Sequence, residues 1–196
     1  QLQQIRTYYK FFDVDNDQQW DHYDMDDAWP DVWVARFASN DIGRTTTWVN
    51  NVVAYEKNPT AGNWMDTCML LAPDAGAAGS AEFVKNKIEE YVYKNNNSQY
   101  GFLSALYGNN GGSMVRLYEA NGTLSHAAVV NAISAGCAFG TWIAHGDPSS
   151  IQSSISGTLL ASGDAGTMTN GGKKPVLFAM SCLTGWFDGQ ECLAEA

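Results

Sequence analysis

Apolar residues along the chain follow two alternating patterns. Short, almost unbroken runs recur at 31–37, 67–72, 114–118, 137–144 and 176–181. Runs of this length are too short for buried helices and read as strands covered on both faces. Between them, apolar positions recur every three or four residues. Residues 41–57 carry Trp48, Val52 and Tyr55 at that spacing, and Asn58-Pro59 stops the helix. Residues 80–94 place Val84, Ile88, Tyr91 and Val92 on one helical face. Residues 124–135 turn Ala128, Val129, Ala132 and Ile133 inward, with Gly136 placed to cap the end. Strand and helix alternate for most of the length, which predicts an α/β fold with a mostly parallel sheet and helices on both faces. Residues 147–174, rich in Gly, Ser and Thr, fit neither pattern and read as one long loop, of a length usually tied to function or mobility.

Two of the apolar runs stop at residues that can do chemistry. Trp142-Ile143-Ala144 leads into His145-Gly146, and Leu177-Phe178-Ala179-Met180 leads into Ser181-Cys182-Leu183-Thr184-Gly185. Adjacent parallel strands bring their carboxyl ends to one edge of the sheet, where open α/β folds place their sites. An imidazole and a thiol on one rim are what a cysteine hydrolase needs. Gly146 leaves its own N–H unobstructed, which suits an oxyanion hole. The plainer alternative makes His145 a structural strand-end residue and Cys182 a core thiol. His22 and His126 have no nucleophile nearby, and no G-x-S-x-G elbow supports a serine enzyme.

Composition narrows the field. The 196 residues are 45% hydrophobic and 16% charged, enough for a sizeable core, and the net charge of -10 excludes a general nucleic-acid binder. No apolar run approaches the roughly 18 residues of a membrane span. Cys68, Cys137, Cys182 and Cys192 form no C-x-x-C pair, which argues against zinc, and Cys68 and Cys137 lie in apolar runs as inert thiols would. The chain opens on Gln1 and closes at Ala196 in what reads as the start of a helix, so it is expected to be part of a larger polypeptide.

The negative charge is concentrated. Eight aspartates and no lysine or arginine lie between Asp13 and Asp31. Asp13, Asp15, Asp17, Gln19, Asp21 and Asp24 occupy positions one, three, five, seven, nine and twelve of a calcium loop. Alternating carboxylates supply the six to eight oxygens that Ca2+ takes, in a structural role. Gln18 stands where such loops turn on glycine, and Asp24 replaces the usual glutamate; a solvated acidic loop is the competing reading.

The segments Ile143-Ala144-His145-Gly146-Asp147, Phe178 to Asp188 and Glu191-Cys192-Leu193-Ala194-Glu195-Ala196 resemble the catalytic region of the gingipain family of cysteine peptidases. The upstream Pro30 to Phe37, Val53-Ala54-Tyr55-Glu56, Met114 to Tyr118 and Ala132 to Gly136 match in the same order. The resemblance implies a caspase-like three-layer sandwich, incomplete at its C-terminal end, over 31–196, with residues 1–30 closing a preceding subdomain. It implies a secreted or cell-surface endopeptidase acting on protein or peptide substrates. Cys182 would be the nucleophile and His145 the general acid/base, with the N–H groups of Gly146 and Cys182 as oxyanion hole. Asp74 falls where some members orient the histidine, and Glu82 near an acid that selects basic side chains. A catalytically silent binding module and a transpeptidase of the same family remain the alternatives.

Overall fold

The computed structural model describes Ser39, residues 41–73, Asn86, residues 113–188 and residues 190–196. The chain divides into two units, Gln1–Phe37 and Ala38–Ala196, and every described residue belongs to the second. Outside the described residues lie the strand expected at 31–37, the helix expected at 80–94 except Asn86, the six calcium-loop positions Asp13 to Asp24, and both Asp74 and Glu82.

The described elements are helix α1 (Ile42–Lys57), β1 (Thr67–Ala72), β2 (Ser113–Tyr118), helix α2 (His126–Ala135), β3 (Phe139–Ile143), β4 (His145–Asp147), β5 (Ser150–Ser153), β6 (Gly157–Ala161) and β7 (Val176–Met180). Four strands form an all-parallel sheet in the order β2-β1-β3-β7. β1 is central and buried on both faces, which is why its sequence is an unbroken apolar run. Met69 and Leu71 point into one core with Leu117, Val129, Ile133 and Trp142, while Cys68, Leu70 and Ala72 join Tyr118 in a second core on the other face.

Helix α2 covers the first of these faces. Its N-cap Ser125 accepts a hydrogen bond from the Ala128 N–H, and Val129 and Ile133, four apart, are fully buried. Each such side chain contributes about 1.5–3 kcal/mol through burial. Gly136 ends the helix with φ of 100°, donating to the carbonyls of Ala132 and Ile133, and Lys173 Nζ reaches the Ala135 carbonyl at 2.9 Å. A side chain at 136 would meet Lys173 Cδ at 2.6 Å and Trp64 Cβ at 3.0 Å, so both conformation and space require glycine. Helix α1 is set differently. Asp41 caps it by accepting from the Arg44 N–H at 2.9 Å, yet none of its residues is fully buried, and Trp48, Val49 and Val53 are exposed.

The expected long loop after His145 is replaced in part by structure. β4, β5 and β6 form a separate antiparallel sheet in that order, joined by turns at 148–149 and 154–156, and a longer stretch without strand or helix runs from beyond Asp164 to β7. Its inward positions mix Ile151, Leu159 and Leu160 with buried Ser150 and Ser153, so no apolar run or clean alternation marks it. β3 accordingly ends at Ile143, and His145 opens a strand of the second sheet instead of ending one of the first. At the other side, β7 is an edge of the four-stranded sheet among the described residues, and its Val176, Phe178 and Met180 are exposed.

Candidate active site

The carboxyl ends of β3 and β7 run side by side to the rim of the sheet. Their last shared rung is the Ala144 N–H donating to the Met180 carbonyl at 3.1 Å. Beyond it the two chains separate, one into the β4–β5 hairpin carrying His145, the other into the turn carrying Cys182. The His145 and Cys182 side chains are both exposed.

The two segments meet again at Gly146. A methyl group placed there would stand 2.9 Å from Ser181 Cβ and Thr184 Cγ2 and 3.2 Å from the Cys182 backbone nitrogen. No side chain fits between the hairpin and the turn. The Cys182 N–H donates to no group among the described residues, so a backbone donor at the cysteine remains available beside Gly146. An open cleft of about 630 Å³ adjoins the thiol, lined by Cys182, Ser181, Leu183, Thr184 and Trp186 among others.

The hairpin is held by its own polar contacts. The Asp147 carboxylate accepts from Ser149 N at 2.8 Å, Ser149 Oγ at 3.0 Å, Ser150 Oγ at 2.9 Å and Gln152 Nε2 at 2.6 Å. Four donors occupy what a carboxylate can accept, so Asp147 braces the strand pair and has no acceptor site left over for the imidazole. Burial pushes the Asp147 carboxyl up, but the hydrogen bonds from Ser150 and Ser149 outweigh it and hold the group below its ordinary range. Two further links fasten this sheet to the main body. Glu119, just after β2, accepts from Ser153 Oγ at 2.6 Å and from Ser156 Oγ, and Asp164 pairs with His126 at the start of α2 at 2.9 Å.

The cysteine turn is held from outside. Trp142 Nε1 donates to Ser181 Oγ at 3.3 Å, and Ser181 Oγ and Thr184 Oγ1 share a hydrogen bond of 2.8 Å. The final segment then joins both halves: Ala194 N–H donates to the Thr184 carbonyl at 3.0 Å and Leu193 N–H to the Pro148 carbonyl in the hairpin at 2.6 Å. Arg44 of α1 reaches the same segment through Glu191 at 2.7 Å. The other thiols are sealed away. Cys68, Cys137 and Cys192 are buried, and burial pushes Cys137 up to about 11 and Cys192 upward. No group of three or more metal-ligating side chains occurs among the described residues.

Of the residues singled out from the sequence, the structure brings His145, Gly146 and Cys182 to one rim. Trp142, Ser181, Thr184 and Asp147 escaped sequence reasoning as supports of that rim. The only signal for Ser181 and Thr184 was a pair of hydroxyl residues around a cysteine before a glycine, and nothing in the sequence set Trp142 apart from the core.

This rim, on the carboxyl edge of a parallel sheet, can be compared with known proteins. The profile of Peptidase family C25 matches residues 5–196. The chain belongs to peptidase family C25. Curated C25 relatives include gingipain R2 of Porphyromonas gingivalis, 22% identical over 185 residues that make up 93% of this chain and 23% of that protein. Gingipain R1 of the same species is likewise 22% identical over 185 residues, covering 93% of this chain and 17% of the relative. Among solved structures, the Arg specific cysteine proteinase gingipain R superposes with a TM-score of 0.59 at 19% identity, covering 82% of this chain and 34% of that one. The complex of RgpB pro- and mature domains gives 0.59 at 20% identity, over 84% and 36%. These likenesses establish a caspase-like α/β fold. The chain spans less than a quarter of the curated C25 relatives it matches and about a third of the solved chains. Cysteine-dependent peptide hydrolysis is the activity at the level of the family. No helix among the described residues is long and apolar enough to cross a membrane.

Proposed function

We propose that this chain carries the nucleophile and the acid/base of a cysteine endopeptidase, Cys182 and His145. The observation that carries the reading is the close approach of Gly146 to the Cys182 backbone nitrogen, which puts the histidine hairpin and the cysteine turn against each other. In the reaction the Cys182 thiolate attacks the scissile carbonyl carbon, forming a C–S bond and moving the carbonyl electron pair onto oxygen. The N–H groups of Cys182 and Gly146 receive that oxyanion. Collapse breaks the C–N bond as protonated His145 gives its proton to the departing amine. Water then attacks the thioester, His145 takes its proton, and the carboxylic acid leaves as the thiolate is restored.

Peptides with arginine before the scissile bond are the first substrates to try, because gingipain R is an Arg specific proteinase and Glu82 provides a candidate acid. Asp74 is the candidate for orienting His145. Cleavage of a fluorogenic peptide panel by the wild type, Cys182→Ala and His145→Ala tests the assignment. Both substitutions are expected to remove activity by roughly 10³-fold or more. Cleavage by Cys182→Ala at the wild-type rate overturns it, and a wild type that cleaves nothing favours the silent binding module. The alternating aspartates from Asp13 to Asp24 support a structural calcium ion, and chelation is then expected to lower the melting temperature, checked by a thermal melt with and without chelator.

A further inference from the structure

The turn that presents Cys182 is tied to the hydrophobic core through a chain of polar groups that sequence reasoning did not find. Trp142 is buried, at 4% exposure, and lies in β3 opposite Ala179 of β7. Ser181 follows two residues after Ala179, so strand alternation turns it toward the same face as Trp142 and turns Cys182 away. A buried indole N–H needs an acceptor, and Ser181 Oγ is that acceptor. Ser181 Oγ is in turn hydrogen-bonded at 2.8 Å to Thr184 Oγ1, whose residue is only 6% exposed although it sits in a surface turn. The Thr184 backbone is held as well, through its carbonyl and the Ala194 N–H. Its methyl faces Gly146, with a Cβ there only 2.9 Å from Thr184 Cγ2.

We infer that Thr184 is a positioning residue for the oxyanion hole, fixing the Cys182 N–H against Gly146 through the Trp142–Ser181–Thr184 chain. This rests on the peptidase reading above. One residue touches all three parts of the device, two through its side chain and one through its backbone. Its hydroxyl locks Ser181, the residue before the nucleophile; its methyl sets the spacing to Gly146; its carbonyl fastens the turn to the final segment. Loss of the hydroxyl alone leaves Ser181 held only by the Trp142 indole and lets the Cys182 peptide plane rotate, while the thiol stays where it is exposed. Thr184 therefore acts on the step that develops oxyanion charge, not on substrate binding.

The test compares wild type, Thr184→Val, which keeps the shape without the hydroxyl, and Thr184→Ser, which keeps the hydroxyl. Peptide cleavage is read as kcat and KM, alongside the rate of Cys182 alkylation by iodoacetamide, a displacement at carbon that forms no oxyanion. Thr184→Val is expected to lower kcat on the order of 10–100-fold, since a misplacement of about 1 Å in such a site has effects of that size. KM and alkylation rate should stay within about twofold, and Thr184→Ser should recover most of kcat. Ser181→Ala should reproduce the kcat loss. A Thr184→Val protein with wild-type kcat, or one whose alkylation rate falls in step with kcat, overturns the inference while leaving the peptidase reading intact. A wild type without peptide cleavage overturns both.

Discussion

The two halves of the candidate site are built on opposite plans. The histidine half is a strand pair braced mainly from within: Asp147 gathers four donors within five residues of its own position, and β5 and β6 continue the ladder, with Glu119, His126 and Leu193 as outside links. The cysteine half is a turn that owes its shape to distant groups, with Trp142 about forty residues upstream, Ala194 downstream and Gly146 alongside. A self-braced hairpin keeps its geometry when its surroundings change. An externally braced turn does so only if each contact survives. The arrangement puts His145 on the element braced mainly from within and the proposed nucleophile on the element whose position other parts of the chain decide.

That contrast can be broken most severely at the single point where the halves touch. Gly146→Ala puts a methyl group 2.9 Å from Ser181 and Thr184 and 3.2 Å from the Cys182 nitrogen. Since backbone stands behind that contact, the hairpin and the turn must part. The expected result is a loss of about 10²–10³ in kcat, comparable to removal of an oxyanion donor, with a melting temperature lowered by a few degrees as the overpacked contact opens. Steady-state kinetics and a thermal melt together decide it.

Asp147→Ala attacks the self-braced half. It removes the acceptor shared by Ser149, Ser150 and Gln152, leaving Gln152 Nε2 only its bond to Ser150 Oγ, and is expected to cost about 1.5–3 kcal/mol of stability, measured by urea denaturation. The wild-type group also carries a pH signature. Its folded pKa lies below its unfolded value, so its contribution is present above the unfolded value of about 3.9 and lost as pH falls through the folded one. Below pH 4 the melting temperature of the wild type should fall more steeply than that of Asp147→Asn.

The smallest effect is expected at the surface. Arg44 and Glu191 are each about half exposed and pair at 2.7 Å between α1 and the final segment. Exposed pairs of this kind contribute little. Arg44→Ala should leave peptide cleavage unchanged and shift the melt only slightly; a large loss of activity would mean that the cysteine turn depends on α1 as well.

The same contrast explains what the sequence made legible. Parallel strands covered on both faces advertise themselves as apolar runs, so Thr67–Ala72 was predictable to the residue. The end signals at Asn58-Pro59 and Gly136 placed both helix ends, whereas the start expected at 124 runs two residues ahead of His126, because Ser125 caps the helix there. The β4–β6 sheet stayed hidden because two of its buried positions are serines whose hydroxyls are satisfied by Asp147 and Glu119, a pairing that only tertiary structure creates. His145 and Cys182 were recognisable as chemistry at the ends of apolar runs. Their supports were not, because Trp142 reads as ordinary core and Thr184 as ordinary turn. The long-range contact that gives each its role leaves no periodic trace.

In the proposed peptidase the hairpin and the turn make one site with Cys182 as its nucleophile. Mass spectrometry of the protein quenched in acid during turnover of a peptide ester tests it directly. The expected product is an acyl adduct on the peptide containing Cys182, absent in Cys182→Ala and accumulating more slowly in Gly146→Ala. Turnover with no adduct on Cys182, or with an adduct on another residue, would contradict the claim.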